Sequence, residues 1–383
     1  MPHFHSIEGS RIGRWFQFRC RGHALTETAL ENNQRLIGLD FARFLAFFGM
    51  VVVNFTVAMG AAEGTEQWAN WVGTAFEGRA AATFVILAGL GLGLATQSGS
   101  SFSAPSVIMK RALFLLVLGL LNVTVFVGDI LHYYALYFAA GAFCLQFSKG
   151  QLLAAVAAFI LGFLFLLGVF NYDAGWNWET LNYSGFWTVE GFTRNLFFNG
   201  WHPFTPWFGF FLFGLFLAKL RLGEKAVWLK MILWGSIVAA AAQGLSQYLL
   251  SMPLPAEAQE LASLLTTKPI PPGPLYMVAA IGTSMAVIGL CLLTGNALKS
   301  SRVFSWFATA GRQTLTLYLA HIFIGMGVLD VFGLIDSPGA VVTTTTSVTA
   351  SILFTVVAVI YANIWSHFFK AGPVEWLMRK LAG

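Results

Sequence analysis

Long apolar runs alternate with short polar segments along the whole chain. A bilayer core about 30 Å thick needs roughly 20 mostly apolar residues per helical span. By that measure about ten spans are expected. They are Leu36–Val57, Gly78–Thr96, Val107–Gly128, Ile130–Phe147, Leu152–Phe170, His202–Lys219, Ala226–Leu250, Pro274–Leu293, Val303–Leu329 and Val341–Phe369. The predicted fold class is therefore all-α, a polytopic membrane helical bundle. Three regions are expected: a basic arm over residues 1–34, a membrane domain over 35–370 and an amphipathic tail over 371–383. The arm reads as a juxtamembrane or interfacial segment on the inner leaflet.

Charge placement orients the map. Arg35, Lys110, Arg111, Lys149, Lys219, Arg221, Lys225, Lys230, Lys299, Arg302, Lys370, Arg379 and Lys380 fall on one side, with the arginines of the arm. Glu63, Glu66, Glu77, Asp129, Asp173, Glu179, Glu190, Glu257, Glu260, Asp330 and Asp336 fall on the other, where the only basic residues are Arg79, Arg194 and Lys268. Cytoplasmic loops carry the excess of Lys and Arg, so both termini are expected in the cytoplasm. Omitting one span would invert every later loop and destroy the pattern.

Composition agrees. Of 383 residues, 57% are hydrophobic and 10% charged, against about a quarter charged in a soluble domain. Cys20, Cys144 and Cys291 have no metal-ligand spacing, no HExxH occurs, and no metal is expected. No Walker loop, GxSxG or nucleotide domain is present, which speaks against a primary ATP-driven pump. The inner leaflet accounts for the basic residues, and no nucleic-acid partner is expected.

The first span, "RLIGLDFARFLAFFGMVVVNF", carries Asp40, Arg43 and Asn54. Asp40 and Arg43 lie one turn apart on one helix face. Asn54 lies near that face, about 16 Å further along. Ionisable groups at such depth usually face a bundle interior or a watery cavity. An Asp–Arg pair fixing helix packing is the plain reading, and Arg43 is also placed to meet a phosphate. His132, His202 and His321 fall toward the outer side, and Asp129 stands three residues before His132, spaced to orient its imidazole. Each histidine can equally be a packed structural residue. Glu63 and Glu66 offer a substitute base. The longest outer loop, residues 171–201, mixes Trp176, Trp178, Tyr183 and Trp187 with Asn195 and Asn199. It reads as an interfacial belt or a sugar-stacking lid.

Six segments in order resemble a membrane acyltransferase superfamily. They are the first span, "FEGRAAATFVILAGLGLG", "GDILHYYALYF", "HPFTPWFGFFLFGLFLAKL", "GRQTLTLYLAHIF" and "GPVEWLMRKL". The pattern is similar to the YeiB-like branch, near heparan-alpha-glucosaminide N-acetyltransferase and more distantly the acyltransferase-three O-acetylators. The resemblance implies acyl-CoA, usually acetyl-CoA, as a cytoplasmic donor, and an outer acceptor such as a glycan or small molecule. It would put Asp40 and Arg43, with Arg111 and Arg312, at the donor's phosphates. Asn54 would meet the acyl group, with His132, His321 or His202 as base and Asp129 orienting His132. The acyltransferase-three pattern has a histidine where this chain has Asn54. The heparan enzyme takes its histidine from the following outer loop, and here that loop has none. The expected protein is an acyl-CoA-dependent transferase of the bacterial inner membrane, in contact with membrane lipid, with a homodimer left open. The rival from the same buried charges is a transporter or exporter of a small metabolite or lipid-linked precursor.

Overall fold

The computed structural model describes residues 36–99, 104–253, 262–335 and 342–383. The basic arm expected over 1–34, with Cys20, and the loop acids Glu257, Glu260 and Asp336 lie outside them. Helices α1 (Ile37–Ala58), α2 (Gln67–Phe76), α3 (Arg79–Gln97), α4 (Pro105–Asn122), α5 (Leu131–Cys144) and α6 (Lys149–Val169) come first. A two-residue hairpin, β1 (Trp176–Asn177) with β2 (Asn182–Tyr183), and α7 (Val189–Arg194) lead into a π-helical turn at Asn195–Asn199. Then follow α8 (Phe204–Ala218), α9 (Lys225–Ser251), α10 (Ala262–Leu265) and α11 (Pro274–Ala297). The last are α12 (Arg302–Gly311), α13 (Thr314–Ala320), a second π turn at His321–Met326, α14 (Gly327–Val331), α15 (Thr344–Phe368) and α16 (Pro373–Ala382).

Helix α1 is central, packed against α3, α11, α12 and α15. Further pairs are α3 with α8, α4 with α5, α6 with α8, and α9 with α11. Without a hydrophobic drive between helices in lipid, association relies on close approach and interhelical hydrogen bonds. The run "LAGLGLGLA" supplies the first. A side chain on Gly89 would strike the Phe211 carbonyl of α8, and one on Gly214 would strike the Ile86 carbonyl of α3. Thr83 to Ser284 (2.8 Å) and Thr56 to Ser347 (2.9 Å) supply the second. Within "VVTTTTSV", the Thr344 amide and hydroxyl both donate to the Ala62 carbonyl, fastening α15 to the loop after α1. Gly214→Val forces α3 and α8 apart. The expected cost is about 1–3 kcal/mol or more, read as a lower melting temperature in detergent.

Eight helical segments among the described residues are long and apolar enough to cross a bilayer. The spans expected at Ile130–Phe147 and His202–Lys219 fall on shorter helices, α5 with 14 residues and α8 with 15. The span expected over Val303–Leu329 is not one helix. It breaks at Arg312–Gln313 and widens into a π turn at His321. The break falls on the polar run Gly311–Thr314, where Arg312 is exposed and buried Gln313 donates its amide to the Ala362 carbonyl.

Candidate active site

Two elements far apart in sequence meet at the end of the bundle that charge placement assigns to the outside. Asn54 sits in the last turn but one of α1, and His321 closes α13. Their side chains are joined, Asn54 Nδ2 to His321 Nε2, at 2.9 Å. The other ring nitrogen, Nδ1, bonds the Tyr318 carbonyl. A carbonyl only accepts, so the network assigns the proton to Nδ1 and a lone pair to Nε2, which accepts from the Asn54 amide. Helical geometry places Tyr318 one turn before His321, and that turn fixes the tautomer.

A second pair lies beside it. Asp129 and His132 are fully enclosed, with Oδ2 at 2.8 Å from the ring Nδ1 and 3.1 Å from the His132 amide. The remaining oxygen, Oδ1, accepts from Asn122 at the end of α4 (2.6 Å). The i,i+3 spacing read from the sequence is the geometry observed. A side chain on Gly119 of α4 would strike the His132 amide, so glycine lets this turn lie against α4. His132 Nε2 is buried with no hydrogen-bond partner. The Ile130 amide next to Asp129 donates to the Tyr318 hydroxyl at 3.2 Å, and the His132 ring lies on Tyr133, which packs on His202. Asn54, His321, Tyr318, Asp129, His132 and His202 thus form one continuous polar arc.

A cavity of about 120 Å³ lies against this arc. Its wall includes Asn54, His202, Tyr318, Trp201, Trp207 and Glu77. His132 and His321 are buried beside the wall rather than on it. The His202 ring packs on Trp207 at 4.5 Å and on Tyr133 at 5.9 Å. The indole nitrogens of Trp201 and Trp207 and the His202 Nδ1 are buried without partners. Sequence reasoning missed Tyr318, Asn122, Trp201 and Trp207. Only the aromatic density of "WHPFTPWF" could have pointed to the last two. In the long loop after α6, Trp176 stacks on Trp178 at 4.6 Å, and Asn199 bonds Tyr183 and the Tyr172 and Ala174 carbonyls.

The cationic candidates lie apart from the cavity. Asp40 and Arg43 form the expected pair at 2.8 Å, and the guanidinium, 29% exposed, lies over Gly91 of α3. Gly311 of α12 packs on the Asp40 carbonyl, which brings exposed Arg312 near this turn. Arg312 bonds Thr309 at 2.9 Å. Arg111 is drawn elsewhere, with Nη2 donating to the Gly383 carbonyl at 3.0 Å.

The tail forms helix α16, and its Glu375 is 8% exposed. The carboxylate accepts from the amides of Leu315 and Thr316 and from the Thr316 hydroxyl. Burial pushes the Glu375 carboxyl above its usual range, more than these bonds pull it down. The docked tail therefore favours the protonated acid. The contribution of this group is full below the ordinary carboxylate pKa and is lost as pH rises through the raised value. Hydrogen exchange at 373–382, corrected for intrinsic rates, should show stronger protection near about pH 4 than near about pH 8.

The family model described as "Heparan-alpha-glucosaminide N-acetyltransferase, catalytic" matches residues 35–253, more than half of the chain. A second, described as "Protein of unknown function (DUF418)", matches residues 216–383. No curated protein matches the chain. The two matches together run from the start of α1 to the end of α16, and both agree with the resemblance read from the six segments. The site residues Asn54, His132 and His202 fall within the first match. With its apolar helices, the chain is an integral membrane protein, and it belongs to the heparan-alpha-glucosaminide N-acetyltransferase catalytic family.

Proposed function

We propose that the protein moves an acetyl or other short acyl group from cytoplasmic acyl-CoA to an outer hydroxyl or amine, on a sugar or other acceptor. The bacterial inner membrane is the proposed location. One observation carries the reading: a tautomer-fixed imidazole, His321, bonded to a carboxamide on the cavity wall. Position 54 lacks the histidine of the acyltransferase-three pattern, and His321 offers its Nε2 one hydrogen bond away. Acyl transfer from a thioester needs a base and a donor for the developing oxyanion. An acceptor hydroxyl taking over the Nε2 lone pair gives its proton to His321. The Asn54 N–H released by that exchange meets the thioester oxygen. The new C–O bond forms, the C–S bond breaks, and the proton passes on to the leaving thiolate. His202, and His132 held by Asp129, support this arc electrostatically. Arg43, with Arg312 nearby, takes the donor's phosphates, and Asp40 holds the Arg43 guanidinium in place.

Purified protein with radiolabelled acetyl-CoA and a panel of acceptors tests the reading, and labelled product is expected. Absence of donor consumption across acyl lengths and acceptors, together with substrate counterflow in proteoliposomes, would establish the transporter instead. Arg43→Gln should raise the donor KM about 10–100-fold, the scale of one charge-assisted contact, with kcat nearly unchanged.

A further inference from the structure

Two sequence motifs, "GRQTLTLYLAHIF" and "GPVEWLMRKL", have so far no common purpose, yet the structure ties one to the other. Helix α13 has only seven residues and is cut from α12 by the break at Arg312–Gln313. The first amides of any helix lack intrahelical partners and call for a cap. The residue in the N-cap place, Gln313, gives none: its amide is spent on the Ala362 carbonyl. The cap comes from α16. Glu375 Oε1 accepts from Leu315 N (2.8 Å) and Thr316 N (3.1 Å), and Oε2 accepts from the Thr316 hydroxyl. The same hydroxyl accepts from Val374 N at 3.0 Å. The tail that carries this carboxylate is itself held at both ends. Trp365 donates to the Ala371 carbonyl (2.9 Å) and Arg111 to the Gly383 carbonyl.

We propose that Glu375 is a positioning residue for His321, a cap supplied from the C-terminal helix that sets the height and rotation of α13. The inference rests on the acyltransferase reading, in which His321 is the base. His321 lies six residues beyond Leu315, about 9 Å along the helix. With no continuous helix behind α13, a slip at its first turn is passed to Tyr318 and His321. Misplacement by about 1 Å can cost about 100-fold in rate. This explains why a carboxylate stands buried in an otherwise basic, amphipathic tail. It also gives Arg111 a task, that of anchoring the tail.

Glu375→Ala, Glu375→Gln and Thr316→Val test the inference in full-length protein. Glu375→Ala should lower kcat per folded molecule about 10–100-fold, with the donor KM within about twofold. Glu375→Gln, which keeps one carbonyl oxygen for the two amides, should recover most of that loss. Adding Thr316→Val to Glu375→Ala should cost nothing further, because both act through one network. Amide exchange at 315–321 should quicken in Glu375→Ala while 302–311 stays unchanged. Unaltered exchange at 315–321 would overturn the proposal whether or not the protein turns over acyl-CoA. So would a loss of activity that only tracks the loss of folded protein. A wild-type protein without turnover, but with quickened exchange in the variant, would sink the acyltransferase reading and leave the capping role standing.

Discussion

His321→Ala should leave a folded protein whose kcat has fallen about 10²–10⁴-fold, the usual worth of a general base. The ring sits at 0% exposure among Phe47, Phe55 and Tyr318, and its two nitrogens are both engaged. Asn54→Ala should cost about 10²–10³-fold if the amide serves the oxyanion. The two losses should not add, since each residue orients the other across a 2.9 Å bond. Steady-state kinetics on size-exclusion-purified variants, with the donor saturating, give the answer. Near-normal turnover by His321→Ala would move the chemistry to His202, the one histidine on the cavity wall.

The second large effect concerns folding. Asp129→Ala strips partners from the Asn122 amide, the His132 amide and the His132 ring, all at essentially zero exposure. Leaving a buried polar group without its hydrogen-bond partner costs about 1–3 kcal/mol, and three groups lose one here. Lower yield and a clearly lower melting temperature in detergent are expected, ahead of any kinetic defect. Asp129→Asn keeps one acceptor and should be milder. A thermal transition unmoved by Asp129→Ala would mean that this turn is held by its backbone and by Gly119 alone.

What the sequence could reveal follows from what spacing encodes. Relations within one helix or turn were legible: Asp40 with Arg43, Asp129 with His132, and the glycines of "LAGLGLGLA" against a neighbouring helix. The all-α character follows the apolar runs because desolvated backbone must pair within its own segment, although the run over Val303–Leu329 is split. Relations between helices were not legible. Asn54 and His321 are 267 positions apart, and Thr316 and Glu375 are 59 apart. Nothing in periodicity selects those partners from several polar residues at similar depth. The break at Arg312–Gln313 coincides with the polar run Gly311–Thr314, which is short enough for one longer span to be read across it. Arg111 looked free for phosphate because its partner, the Gly383 carbonyl, arrives from 272 positions away.

The π turn at His321–Met326 holds one residue more than the α-helical pitch would. That surplus works as a shim. Deleting one residue from Ile322–Met326 would let the turn close to the α-helical pitch and leave the residues beyond it facing as they do now. The polar arc below it would keep its register. Leu329, buried now, would stay inward, whereas removing a residue from Gly327–Val331, where no surplus absorbs it, would turn the chain beyond by about 100°. The outer end of this span can therefore lose a residue inside the turn and keep its facing, but not one just beyond it.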